Sequence, residues 1–297
     1  QSQIVARRIS RRKQKLDREF FERRISQAVE LRARSGIDVN LARIIWSESD
    51  GLPGVVVDRY GDHIVLQTLT LGMYLVREVI AEVLAEQLNP RSVTLRNDSA
   101  MLAAEGIEPE ITMLYGEKPE PFIVEVPTAE GGVKFEIDLL DGQKTGLYLD
   151  QLDAHAEIAK LAKGKRVLDC FCNQGGFALA CAKAGAESVT AVDSSEVAIE
   201  ACKRNAELNG VEINAVKHNA FDFLKHCEDQ YDIVVLDPPS FTKNKKSLKN
   251  AMRGYKEIHL RGIKLLDRDG VLATYCCSHH ATGELFLENI VSASVDA

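Results

Sequence analysis

Two hydrophobic rhythms follow one another along the chain. From Leu16 to Arg34, apolar positions at Leu16, Phe20, Phe21, Ile25, Val29 and Leu31 approximate the stripe of an amphipathic helix with arginines on its other face. The stretch GLPGVVVDRYGDHIVLQTL (51–69) sets two β-branched runs around Tyr60-Gly61-Asp62 and predicts a hairpin. A helix over about 74–87, a strand near 93–95 and a proline-bearing segment over 109–127 complete a small α+β unit. From about residue 131 the pattern changes. VKFEIDL alternates as a strand, LDGQKTG turns and QLDAHAEIAKLA is helical; RVLDCF, SVTAVD, INAVKH, YDIVVLD and GVLATYC then read as strands separated by helical segments. A basic helix is expected around 248–266 and a last helix near 283–293. Near-continuous apolar strands alternating with helices predict an α/β, Rossmann-like parallel sheet covered on both faces, with ligands beyond the carboxyl ends of its strands. The expected division is a basic helical linker over 1–40, a small α+β domain over 41–128 and the α/β domain over 129–297.

With 297 residues, 45% of them hydrophobic and 27% charged, the chain has the length and composition for large cores. No apolar run approaches the ~18 residues of a membrane span, and the default compartment is the cytoplasm. Seven cysteines scattered through apolar segments argue for reduced thiols rather than a disulfide framework. The net charge of −7 is unevenly spread: residues 1–35 hold eleven Lys/Arg against four Asp/Glu, and 242–264 hold eight against one Glu. Each block reads either as a solvated helix face or as a surface that concentrates a phosphate-bearing partner.

The first strand of the α/β part runs into LDCFCNQGGF (168–177) and the second ends at Asp193. An acidic residue there is placed to accept hydrogen bonds from ribose hydroxyls. The loop lacks G-x-G-x-x-G, and Asp169 stands where a pyrophosphate would approach the helix N-terminus. That suits a positively charged, phosphate-free nucleoside such as S-adenosylmethionine; the bland alternative is an ordinary turn served by Gly175 and Gly176. Asn219 and Phe221 either read an adenine edge or simply end a strand and begin a helix. After the fourth strand, the prolines of Asp237-Pro238-Pro239-Ser240-Phe241 force an extended segment at the ligand-binding edge.

The fifth strand leads into Cys276-Cys277-Ser278-His279-His280. Adjacent cysteines on a strand face opposite ways, so the two cannot both address one pocket. Neighbouring Cys and His pairs do not have zinc-ligand spacing, and no metal is expected. A purely apolar role for both cysteines also stays open.

The segments DREFFERRI (17–25), DGLPGVVVDRYGD (50–62), GQKTGLYLDQ (142–151), LDCFCNQGGF, LDPPSFTKNKKSL (236–248) and CCSHH, in this order, resemble the bacterial class I S-adenosylmethionine-dependent 23S rRNA (cytosine-C5)-methyltransferase family over nearly the whole chain. The resemblance implies a class I methyltransferase sheet preceded by a smaller α+β domain, with S-adenosylmethionine as cofactor. It implies cofactor contacts from Lys144, Thr145 and Gly146; from Asp169, Phe171, Asn173 and Gly175; from Asp193 and Ser194; from Asn219, Ala220 and Phe221; and from Asp237. Cys277 matches the nucleophile that adds to cytosine C6, with Asp237 on the N3/N4 edge of the base. Lys243, Lys245, Lys246 and Arg253 would hold RNA phosphates and Phe241 would stack on the target base, unless it plugs the core. Expected partners are ribosomal RNA and, as an option, a second copy of the chain.

Family members carry a PUA RNA-binding domain before the basic helix and two strands after the last helix, so the resemblance implies segments beyond both ends of this sequence. Asn219 stands where the family more often has Asp, and Leu152 where Arg often follows Asp-Gln. Two rival functions remain: methylation of a base nitrogen through the Asp-Pro-Pro-Ser-Phe loop, and a non-catalytic RNA-binding module.

Overall fold

The computed structural model describes all residues except 1–3, 5, 12, 100, 101, 130, 141–145, 243, 244 and 279, and the backbone alone of Lys245. The chain forms two compact units, one of residues 1–124 and 137–150, the other of 125–136 and 151–297. This differs from the expected division in two ways. The basic helix belongs to the body of the first unit, and the border near residue 128 is replaced by a chain that passes between units more than once.

In the first unit α1 (Arg18–Arg34) starts where the Asp17 carboxylate accepts the Phe20 N–H at 3.2 Å. It buries Phe20, Phe21, Ile25 and Ala28, so it is a core element and not a linker. Strands β1 (Leu41–Trp46), β2 (Val55–Tyr60) and β3 (His63–Thr68) are antiparallel, and Tyr60 pairs with His63 across the expected hairpin turn. The short α2 (Leu71–Tyr74) and α3 (Arg77–Leu88) carry the chain over to β4 (Ser92–Asn97), parallel to β3. After the short α4 (Leu102–Glu105), β5 (Glu110–Gly116) closes a sheet of order β1-β2-β3-β4-β5. The proline-bearing segment thus contains two strands that its composition concealed, β5 and the one over Phe122–Val126.

β6 (Phe122–Val126) and β7 (Val133–Ile137) form a two-stranded sheet. The second unit continues with α5 (Leu152–Ala159), β8 (Arg166–Cys170), α6 (Gly176–Lys183), β9 (Ser188–Asp193), α7 (Glu196–Asn209) and β10 (Asn214–Lys217). Then come α8 (Ala220–His226), β11 (Tyr231–Leu236), α9 (Leu248–Lys264), β12 (Leu266–Thr274) and α10 (Gly283–Asp296). The buried Asn205 and Asn209 of α7 act as a substitute strand for β7: Asn209 Oδ1 accepts from Lys134 N at 2.8 Å, its Nδ2 donates to Lys134 O at 2.7 Å, and Asn205 Oδ1 accepts from Glu136 N at 3.0 Å. Two buried amides are satisfied while a strand edge is covered.

The second unit's sheet is parallel throughout, in the order β10-β9-β8-β11-β12. The chain winds one way from β8 and the other way from β11, so the switch point where ligands bind in such sheets lies between the ends of these two strands. In α9, buried Ala251, Tyr255, Ile258, His259 and Gly262 recur at helical spacing against the sheet. β12 ends at Thr274, two residues earlier than expected, leaving both cysteines in the following loop. Among the described residues, no helix is long and apolar enough to cross a membrane.

Candidate active site

The loop after β8 makes three left-handed backbone steps, at Phe171 (φ 65°), Asn173 (φ 48°) and Gly175 (φ 90°). The glycine pair serves close packing. A Cβ on Gly175 would lie 2.7 Å from Cys202 Sγ, and one on Gly176 2.4 Å from the ring of His155. Helix α6 therefore starts tight against α7 and α5. Asp169 lies beneath this loop, 1% exposed, with Oδ2 accepting the Ala178 N–H at 3.0 Å. Sequence placed this carboxylate facing the ligand; in the structure it is buried and anchors the first turn of α6. Burial, reinforced by the Asp237 and Asp193 charges and opposed by the Ala178 N–H, pushes its pKa up to about 8.

Asp193 closes β9. Its Oδ2 accepts from Asn173 N at 3.0 Å and its Oδ1 from Ser195 N at 2.8 Å. An ionised carboxylate offers about four acceptor positions, so both oxygens keep capacity for a ribose diol. Ser194 is exposed beside it. Asn219 is the N-cap of α8, its Oδ1 accepting from Phe221 N at 2.9 Å and Asp222 N at 3.4 Å. Asn219 thus begins the helix through its amide oxygen, and Ala220 is buried behind it. Phe171 and Phe221 meet edge-on at 6.4 Å between centroids. The donor set fits S-adenosylmethionine: a diol acceptor at Asp193, aromatic rings on one wall, and the carboxylates of Asp193 and Asp237, which favour a cation. Asp193, Phe171, Asn173 and Asp237 are the residues that would hold it, and its chemistry is an electrophilic methyl group on a sulfonium.

Asp237 follows β11 on the other side of the switch point, and its Oδ2 accepts from Gln151 Nε2 at 3.2 Å. Pro238 is buried, and its carbonyl oxygen accepts from the Cys277 thiol with Sγ at 3.5 Å. Cys277 is the exposed cysteine among the seven; Cys276 is half-buried and packs on the core with Tyr255 and Phe286. The in-and-out alternation of a strand continues past β12, answering the question raised by the Cys-Cys pair with one inward and one outward thiol. Tyr275, unassigned by sequence, packs on Phe177 at 5.1 Å; burial, then the Asp237 and Asp169 charges, push its hydroxyl up to about 12. Phe177 also meets His155 edge-on at 4.4 Å, and burial lowers the imidazole to about 4.

Phe241 lies between Tyr255 (4.7 Å), Phe221 (5.6 Å) and Phe171 (6.5 Å), partly buried on the core. These contacts are those of the core-plugging reading of Phe241. Lys246 and Arg253 are exposed at the start of α9. Lys243 and the Lys245 side chain lie outside the described residues, as do Lys144, Thr145 and His279. Gly146 falls in the first unit with φ 134°, where an added Cβ would be 3.0 Å from the Tyr60 ring. Among the described residues, no group of three or more His, Cys, Asp or Glu is arranged to hold a metal ion. Sequence reading missed Gln151, Tyr255 and Ser278 as site residues; only Ser278, one step beyond the outward cysteine, carried a local signal.

Comparison with known proteins agrees with this geometry. Residues 111–295 match a family described as S-adenosylmethionine-dependent methyltransferase. Ribosomal RNA large subunit methyltransferase I of Aeromonas hydrophila is 40% identical over 293 residues, covering 95% of this chain and 72% of that protein. The protein of the same description from Vibrio cholerae is 40% identical over 308 residues, covering 100% and 76%. A solved methyltransferase from Streptococcus mutans, 24% identical, shares the fold with a TM-score of 0.79 over 96% of this chain and 74% of its own. The chain belongs to the S-adenosylmethionine-dependent methyltransferases and, within them, to the family of ribosomal RNA large subunit methyltransferase I.

Proposed function

We propose that this methyltransferase modifies C5 of a cytosine in large-subunit ribosomal RNA through a covalent adduct with Cys277. The observation that carries the reading is the outward Cys277 thiol held against the Pro238 carbonyl, in the loop next to Asp237. C5 of cytosine is a weak nucleophile. Addition of the Cys277 thiolate to C6, with the Asp237 carboxyl delivering a proton to N3, turns C5 into an enamine carbon able to accept a methyl group. Loss of the C5 proton to solvent then expels Cys277 as thiolate, and return of the N3 proton to the Asp237 carboxylate restores the neutral ring. Gln151 keeps Asp237 oriented, and the exposed cations Lys246 and Arg253 offer contacts to phosphates flanking an unpaired base.

The test is Cys277→Ala, assayed by methyl transfer to unmodified in vitro transcribed large-subunit rRNA and by covalent trapping on 5-fluorocytidine-substituted RNA. Both signals should vanish while S-adenosylmethionine binding by calorimetry persists. Methylation that survives the substitution would instead indicate transfer to a base nitrogen; absence of cofactor heat in the unsubstituted protein would indicate a binding module.

A further inference from the structure

A line of hydroxyl groups joins the loop that bears Cys277 to the loop that bears Asp237. Ser240 Oγ donates to the Thr242 carbonyl at 2.9 Å and lies 3.2 Å from Ser278 Oγ, which in turn is 2.9 Å from the Tyr255 hydroxyl. Each hydroxyl has one proton, so the directions are determined. Ser240 has used its proton on a carbonyl and must accept from Ser278. Ser278 must therefore accept from Tyr255. Protons thus run one way, from Tyr255 through Ser278 and Ser240 to a backbone carbonyl.

The line anchors the chain on both sides of residue 277. Cys276 packs inward on Tyr255, and Ser278 is inward and 4% exposed, with Tyr255 itself fully buried on α9. In extended backbone the residue between two inward neighbours must point out. We propose that Tyr255 and Ser278 are positioning residues that aim the Cys277 sulfur, holding it on the Pro238 side of the crevice for attack. The inference rests on the reading of Cys277 as nucleophile and adds what fixes its direction. It also predicts an order of importance. Removing the Ser278 hydroxyl breaks two links and separates the loops, whereas removing the Tyr255 hydroxyl breaks one and leaves the Ser278 bridge to Ser240.

The experiment measures kcat, KM for in vitro transcribed rRNA, and the rate of adduct formation on 5-fluorocytidine RNA for Ser278→Ala and Tyr255→Phe, with Cys277→Ala as reference. A misdirected nucleophile should lower kcat and the adduct rate of Ser278→Ala by roughly 10- to 100-fold, with a smaller loss for Tyr255→Phe. KM and calorimetric cofactor affinity should stay near those of the unsubstituted protein, which a general structural defect would not allow. Should Ser278→Ala fail to fold, Tyr255→Phe, which keeps the ring packing, decides. Wild-type adduct rates in both variants, or parallel losses of kcat, RNA binding and cofactor binding, overturn the positioning role. An active Cys277→Ala overturns the nucleophile reading itself, so the two failures are distinguishable.

Discussion

Asp169→Asn tests how the site manages negative charge. The carboxyl is 1% exposed and its pKa rises from the ordinary 3.8 to about 8, mainly through burial. The native state therefore binds a proton that the unfolded chain has released across the interval from about pH 4 to pH 8. Stability associated with this group is complete below pH 4 and is lost as pH rises through 8. At ~1.4 kcal/mol per unit, a shift of about four units makes the ionised native form dearer by on the order of 5 kcal/mol. Asparagine keeps an oxygen for the Ala178 N–H but cannot ionise. Urea unfolding at pH 5, 7 and 9 should show Asp169→Asn gaining on the wild type as pH rises, by several kcal/mol over the series. A cationic ligand in the crevice favours the carboxylate, so methyl-donor binding at pH 7 should release a proton, visible as a calorimetric enthalpy that varies with the buffer's ionisation heat. A stability difference that stays flat from pH 5 to 9, together with buffer-independent binding heat, would refute the reasoning.

Gly175→Ala places a side chain at φ 90° and a Cβ 2.7 Å from Cys202 Sγ. Left-handed strain and overpacking together should cost about 2–5 kcal/mol in urea unfolding, and a loss below 1 kcal/mol would show that α6 and α7 separate easily. Asn219→Ala removes the N-cap of α8 and should cost about 1 kcal/mol of stability. Calorimetric affinity for S-adenosylmethionine should hardly change in this variant; a tenfold loss would mean that the amide contacts the ligand after all.

The parallel sheet was legible because its strands are uninterrupted apolar runs and its helices carry their own end signals, so SVTAVD is predicted and observed over the same residues. Several elements escaped, β1 and β5 among them, and α8 was legible only as one of two readings of Asn219. Helix α8 is short, and its start signal at Asn219 competes with a functional reading of the same amide. β5 alternates only weakly, with mostly exposed or half-buried positions, so its pairing with β4 rather than its own pattern holds it in place. At the site, sequence identified which groups carry charge or sulfur but not how deep they lie. Asp169 and Phe241 sit next to residues with ligand chemistry, yet their burial depends on α6 and α9 folding back over them, which the local pattern does not show. The hydroxyl line from Tyr255 to Ser240 was unreadable for the same reason: its links join residues up to 38 positions apart.

Because residues 125–136 belong to one unit and 137–150 to the other, neither unit is a single continuous stretch of polypeptide. On the ribosome, the sheet and core built around α1 to β5 emerge first, and the late segment 137–150 joins them only after 125–136 of the neighbouring unit has been synthesised. Maturation is therefore interleaved, and no single cut or gene fusion point yields either unit whole.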